Sequence, residues 1–210
     1  ISNFSFYYAH HMSTIEGGMI TTNDKKFYNL CLLKRSHGLA RELPKKDQSV
    51  YKKKYKKRNF KFLFLSEGFN LRSTEINVYI GIMVLKKINK WIAIRNRNYK
   101  YFSNILSNYN KSFIIPIKNN ISSFVLPFLM VNKIEKNKLE KKLNSKGIET
   151  RPFIAGNLLN QPFLNYKYNN NFKNANFIDN NCFYIGNNQF VNNKRLKNLK
   201  KILDNFFIKK

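Results

Sequence analysis

Apolar residues recur at two different periods along this 210-residue chain, and the periods separate helices from strands. From Lys25 to Lys34, Phe27, Leu30, Cys31 and Leu33 keep helical spacing. Asn23-Asp24 supplies a start signal, and Gly38 a stop just past Arg35-Ser36-His37. A second helix is predicted after Ser73-Thr74-Glu75, where a cap residue and an early acid precede Ile76, Tyr79, Ile80, Met83, Val84 and Ile88. Trp91 to Leu106 reads as a third, with Ile94, Tyr101, Phe102, Ile105 and Leu106 on one face. Further helices are expected over Lys136 to Ser145, near Phe172 to Asn180, and over Asn192 to Phe207, the last carrying Leu196, Leu199, Ile202, Leu203 and Phe206. Strand character falls at Met19 to Thr22, Phe113 to Ile117, Phe124 to Val131, Glu149 to Ile154 and Cys182 to Ile185. Ala40 to Lys61 is polar, basic and holds Pro44, so it reads as a long loop, as does the Asn-rich stretch Asn165 to Asn171.

This order of elements predicts an α/β protein, with helices on one side of a small, mostly antiparallel sheet in the second half. The two long helices before Leu106 read as a bridge from a larger domain over residues 1–90 into a smaller α/β domain over residues 91–210. No internal repeat is evident.

Charge changes this picture little. The formal net charge is +28, which would ordinarily suggest a nucleic acid or anionic membrane as partner. Of the 39 basic residues, however, only 8 are Arg, and the excess of Lys, Asn, Ile, Phe and Tyr is what AT-rich codons favour. Compositional drift accounts for the bias and argues against nucleic acid; the densest basic run, Tyr51 to Arg58, reads as a solvated loop. Cys31 and Cys182 match no metal spacing and no disulfide framework, so a reducing, cytoplasmic setting and no bound metal are expected. The most apolar stretch, Phe124 to Val131, is too short to cross a bilayer and is interrupted by Pro127.

The chemistry is concentrated in Asn3 to Met19, where Ser5 and a short aromatic run precede His10, His11 and Glu16-Gly17-Gly18. This segment resembles the cofactor-anchoring element of the DegT/DnrJ/StrS sugar aminotransferases. Arg35-Ser36-His37-Gly38 is similar to that family's Arg-x-His-Gly, and Gly68-Phe69-Asn70-Leu71-Arg72 to its Gly-Tyr/Phe-Asn-x-Arg. Gly147 to Asn157 and Tyr184 to Gln189 resemble segments of the branch that removes a sugar hydroxyl, the nucleotide-sugar 3-dehydratases. Ser122 to Phe128 departs from the family pattern by lacking its tryptophan and glycine.

The resemblance implies the C-terminal part of a fold-type I pyridoxal-phosphate-dependent transferase, comprising the end of its large cofactor-binding domain and its small α/β domain. It also implies pyridoxal 5′-phosphate or pyridoxamine 5′-phosphate as cofactor. In most of the family the position matched by His10 is a lysine, which can attach the cofactor covalently and move protons. Imidazole keeps only the second ability. The resemblance therefore implies C3 deoxygenation of a nucleotide-linked 4-keto-6-deoxysugar, with His10 as the base and L-glutamate as the amino donor. By the same resemblance Ser5 and Asn70 bind the cofactor phosphate, Asn70 across a homodimer interface. Arg35, His37, Arg72 and Arg151 become candidates for the substrate. Asn157 is another, a plain strand-end role stays open for Arg151 and Asn157, and His11 is taken as structural. For Arg35 and His37, a plain role in ending a helix stays open.

The family's aspartate for the pyridine nitrogen and its phosphate loop would precede Ser5, so the chain is expected to be an N-terminally incomplete piece, inactive alone. Two cysteines speak against the cluster-bearing branch of the dehydratases. A sugar aminotransferase of the same family, a basic nucleic-acid-binding module and an eroded remnant remain as alternatives.

Overall fold

The computed structural model describes residues 1–114, 121–164 and 172–208. The chain folds as two compact units, Ile1–Ile88 and Asn89–Lys210.

In the first unit β1 (Ser2–Ser5) pairs antiparallel with β2 (Gly18–Thr21), Ser5 opposite Gly18. The loop between them, residues 6–17, contains both histidines of the aromatic segment. Helix α1 (Lys25–Arg35) begins on Asp24, whose carboxylate accepts the Lys26 and Phe27 N–H groups. Such a cap satisfies donors that the first turn leaves without carbonyl partners. The region expected to be a loop from Ala40 to Lys61 contains helix α2 (Lys45–Lys54), flanked by 3₁₀ turns at Ala40–Glu42 and Phe60–Phe62. Its sequence carries no apolar period because it buries no residue. It is held by end effects, with Pro44 at its start, Asp47 in the first turn and Lys52, Lys53 and Lys54 in the last. The basic run is thus helical up to Lys54. Asp47 also ties α2 to α1, accepting from Lys25 Nζ at 2.9 Å and Asn29 Nδ2 at 3.1 Å, and the Lys25 bond leads in drawing its carboxyl below the ordinary range.

Helix α3 (Glu75–Leu85) starts on Thr74, with a reciprocal capping box between Thr74 and Asn77. It is apolar on nearly every side, yet Gly81 is the one buried residue in it.

The second unit contains most of α4 (Ile88–Leu106), followed by β3 (Val125–Leu129), α5 (Lys133–Ser145), β4 (Arg151–Pro152), α6 (Lys173–Asn181), β5 (Cys182–Gly186) and α7 (Asn193–Phe207). The antiparallel sheet has the order β3-β5-β4. Phe128 lies opposite Phe183, and their rings stack at 4.6 Å. One core gathers Phe102 and Leu106 of α4, Leu126 and Phe128 of β3, Leu139 and Leu143 of α5, Phe183 and Ile185 of β5, and Leu196, Leu199, Ile202 and Leu203 of α7. The 3.6-residue spacing of the α7 leucines is what places them on this core. Asn187 pins the loop after β5 to α4, donating to the carbonyls of Arg95 and Ser123 and accepting from Asn98.

Several boundaries differ from the sequence reading. Helix α5 begins three residues early because Asn132 caps it. The strand expected over Glu149 to Ile154 is ordered as such only at Arg151–Pro152. Of Phe113 to Ile117, Phe113 forms a single bridge to Met130, and residues 115–117 lie outside the described residues, as does the Asn165 to Asn171 loop.

Candidate active site

The residues singled out in the first unit lie on two structural pieces. The first is the β1–β2 hairpin. Ser5 ends β1, exposed, and its Oγ accepts the Tyr7 N–H at 3.3 Å. That bond uses the oxygen as acceptor and keeps the hydroxyl hydrogen for another partner. His10 is exposed in a turn closed by its N–H to the Tyr7 carbonyl at 3.0 Å, and its ring meets Tyr7 edge-on at 6.0 Å. The loop is knitted at its neck, Phe6 N–H to Gly17 O and Thr14 N–H to Phe6 O, both at 2.9 Å. Gly17, at φ +151, packs so closely that an added Cβ would stand 2.7 Å from Thr14 Oγ1.

The second piece joins the two arginine-bearing motifs. They are far apart in sequence and lie side by side in the fold. Phe69 donates to Lys34 O at 2.7 Å, Leu71 to Arg35 O at 2.9 Å, and His37 to Phe69 O at 2.8 Å. Ser36 and Asn70 form a bridge. His37 adopts φ +60 and Gly38 φ +78, a double left-handed step that turns the chain after α1. The segments approach too closely for a side chain at this crossing. A Cβ on Gly38 would lie 1.7 Å from Ser66 O, and one on Gly68 would lie 2.4 Å from Gly38 N. Arg35, His37, Asn70 and Arg72 are all exposed on the rim so formed. Arg72 Nη1 lies 4.0 Å from Glu42 Oε1, which also lies 3.7 Å from Arg41 Nε.

Arg151 belongs to the second unit. It sits exposed on β4, paired with Glu149 at 2.8 Å. Among the described residues there is no group of three or more His, Cys, Asp or Glu arranged to hold a metal ion, and no helix is long and apolar enough to cross a membrane.

One residue of this region escaped the sequence reading. Asn77, the third residue of α3, donates from Nδ2 to Thr14 O at 2.7 Å and to Glu16 O at 3.2 Å. The available signal was the spacing Thr74-x-x-Asn77, a variant of the capping box that identifies a helix start but says nothing of a contact some sixty residues away.

The exposed polar groups are thus a strand-end hydroxyl, Ser5, with an imidazole, His10, five residues on, and, on the second piece, the amide of Asn70 and the guanidinium of Arg72. The DegT/DnrJ/EryC1/StrS aminotransferase family model matches residues 1–203. GDP-4-keto-6-deoxy-D-mannose 3-dehydratase of Escherichia coli O55:H7 is 32% identical over 209 residues, covering 97% of this chain and 54% of the relative. The solved structure of the E. coli dehydratase with bound hydrated PLP superposes with a TM-score of 0.82 at 31% identity, covering 96% of this chain and 53% of that one. A crystal structure of GDP-4-keto-6-deoxymannose-3-dehydratase with a trapped PLP-glutamate geminal diamine matches equally, with a TM-score of 0.82, 31% identity, and coverage of 96% and 54%. The chain spans about half the length of the curated relatives it matches.

Proposed function

The chain belongs to the DegT/DnrJ/EryC1/StrS aminotransferase family, and on that premise we propose that it works in a PLP-dependent 3-dehydratase acting on a nucleotide-linked 4-keto-6-deoxysugar. The observation that carries this reading is His10, an imidazole at the position where the family resemblance puts a lysine. A lysine there would attach the cofactor covalently. An imidazole can only accept and return a proton, which suits elimination of a hydroxyl better than transfer of an amine.

Ser5 and Asn70 would hold the cofactor phosphate, Asn70 in the site of a second protomer, so the enzyme acts as a homodimer. When bound, the cofactor supplies an amine for the sugar ketone and a ring that accepts electrons. His10 would be the base there, taking up a proton on a ring nitrogen and giving it to the C3 hydroxyl as that group leaves as water. Arg35, His37, Arg72 and Arg151 would grip the nucleotide sugar, whose phosphates suit the fork of an arginine. For Arg72 this requires release from the long, solvent-exposed approach to Glu42, which holds it weakly. L-Glutamate would restore the amine form of the cofactor, and the setting is the cytoplasm. The relative with a trapped PLP-glutamate geminal diamine supports glutamate in that role.

The test is a chimaera that joins this chain to the unmatched part of the E. coli relative, assayed with GDP-4-keto-6-deoxy-D-mannose, PLP and glutamate. Loss of the C3 hydroxyl from the sugar is the expected result. An amino sugar as product would favour an aminotransferase, and a folded, cofactor-loaded chimaera that forms neither product would overturn the reading.

A further inference from the structure

The loop from residue 6 to residue 17 contains a strained position. Ile15 has φ +74, a left-handed conformation that a β-branched side chain adopts only when its surroundings impose it. The two carbonyls flanking Ile15, those of Thr14 and Glu16, are gripped by one amide group, Asn77 Nδ2, at 2.7 and 3.2 Å. Glu16 O also accepts the Thr14 hydroxyl at 2.8 Å. The other end of the Asn77 amide is anchored in its own helix, where Oδ1 accepts from Thr74. Both amide donors and the acceptor are therefore used, and the side chain is fixed at both ends. One helical turn later Gly81 seats α3 against the same loop. A Cβ there would lie 3.0 Å from Thr14 Cγ2 and 3.4 Å from Met12 Cε. Thr14 is 6% exposed, so this contact is dry.

We propose that Asn77 is a positioning residue for the active site, holding the strained Ile15 turn so that Ser5 and His10 keep a fixed relation on either side of the aromatic run. This rests on the reading of His10 as the base. Asn77 touches neither cofactor nor sugar and acts through the loop. The clamp also couples α3, the apolar helix, to the loop that carries the imidazole.

Asn77→Asp separates the two jobs of the side chain. The aspartate keeps an acceptor at the third helical position, where a negative charge is favourable, so α3 persists. It removes the donors and sets a carboxylate against two carbonyl oxygens. In this chain, amide exchange at Phe6 and Thr14 should accelerate at least about tenfold while the amides of α3 stay protected. The His10 ring resonances should shift in the same variant. Asn77→Gln, which keeps the amide, should restore part of the protection. In the chimaera, kcat of the Asp variant should fall at least about tenfold with KM for the nucleotide sugar unchanged. Unaltered loop exchange in Asn77→Asp, or equal loss of protection in loop and helix, would overturn the proposal, the latter by reducing Asn77 to a cap. If the loop loosens as expected but the unaltered chimaera forms no product, the positioning stands and the enzymatic reading falls.

Discussion

At the scale of single residues, the crossing of the two arginine-bearing motifs depends on the absence of a side chain. Gly38 and Gly147 have nearly the same positive φ, but only Gly38 has a backbone oxygen where a Cβ would go. Gly147→Ala should therefore cost about 1 kcal/mol, the conformational penalty alone, while Gly38→Ala should cost more than about 3 kcal/mol. Urea unfolding of both variants followed by circular dichroism measures the difference, and equal costs would mean the crossing is looser than described. Ser5, His10, Arg35, His37, Asn70 and Arg72 were legible as candidates because each sits in a contiguous motif. Asn77 was not, because its two carbonyl partners lie on a loop that no local pattern connects to α3. Arg151 also stands in a contiguous motif, and Glu149, two residues away, pairs with it.

Among the elements, amphipathic helices were the easiest to read and α2 the hardest. Helix α7 shows its buried leucines as a stripe, whereas α2 buries nothing and leaves no period to find. The same contrast sets the expected mutational costs. Leu199→Ala in α7, at 2% exposure, should cost about 2–5 kcal/mol, and Ile76→Ser in α3, at 71% exposure, less than about 0.5 kcal/mol. Thermal unfolding of the two variants in this chain checks both. A large loss from Ile76→Ser would show that α3 is already covered in solution. Strand ends were poorly legible for a different reason. The β4 segment pairs through two residues only, and the apolar run Phe153-Ile154-Ala155 continues past the last ladder pair without ordering as strand.

For the whole molecule, a cluster of apolar residues makes the core of the second unit, but charge governs the response to solution conditions. With 39 basic and 11 acidic residues, self-repulsion opposes compaction, so the melting temperature should rise as sodium chloride screens it. Acid should act on both units, through Asp47 in the first and Asp204 in the second. The Lys200 bond, followed by that from Tyr109, holds the Asp204 carboxyl below the ordinary range. A group lowered on folding contributes stability above its unfolded value, about 4, and that contribution is lost as pH falls through the lower folded value. Tyr109 is shifted the other way, first by burial and then by Asp204, so its contribution is present below about 10 and is lost as pH rises toward the folded value. Asp204→Asn should flatten the acid limb of stability against pH, and an unchanged limb would contradict the assignment.

The account stands most directly on His10 as a residue that cannot attach the cofactor. The chimaera bearing this chain should be loaded with PLP, treated with borohydride and analysed by peptide mass spectrometry, with the His10→Lys variant beside it. The account predicts no phosphopyridoxyl mass on the peptide containing residue 10 in the unaltered protein and a stoichiometric one in His10→Lys. Specific labelling of a native lysine in the unaltered protein, or a cofactor-binding His10→Lys variant left unlabelled at residue 10, would contradict it.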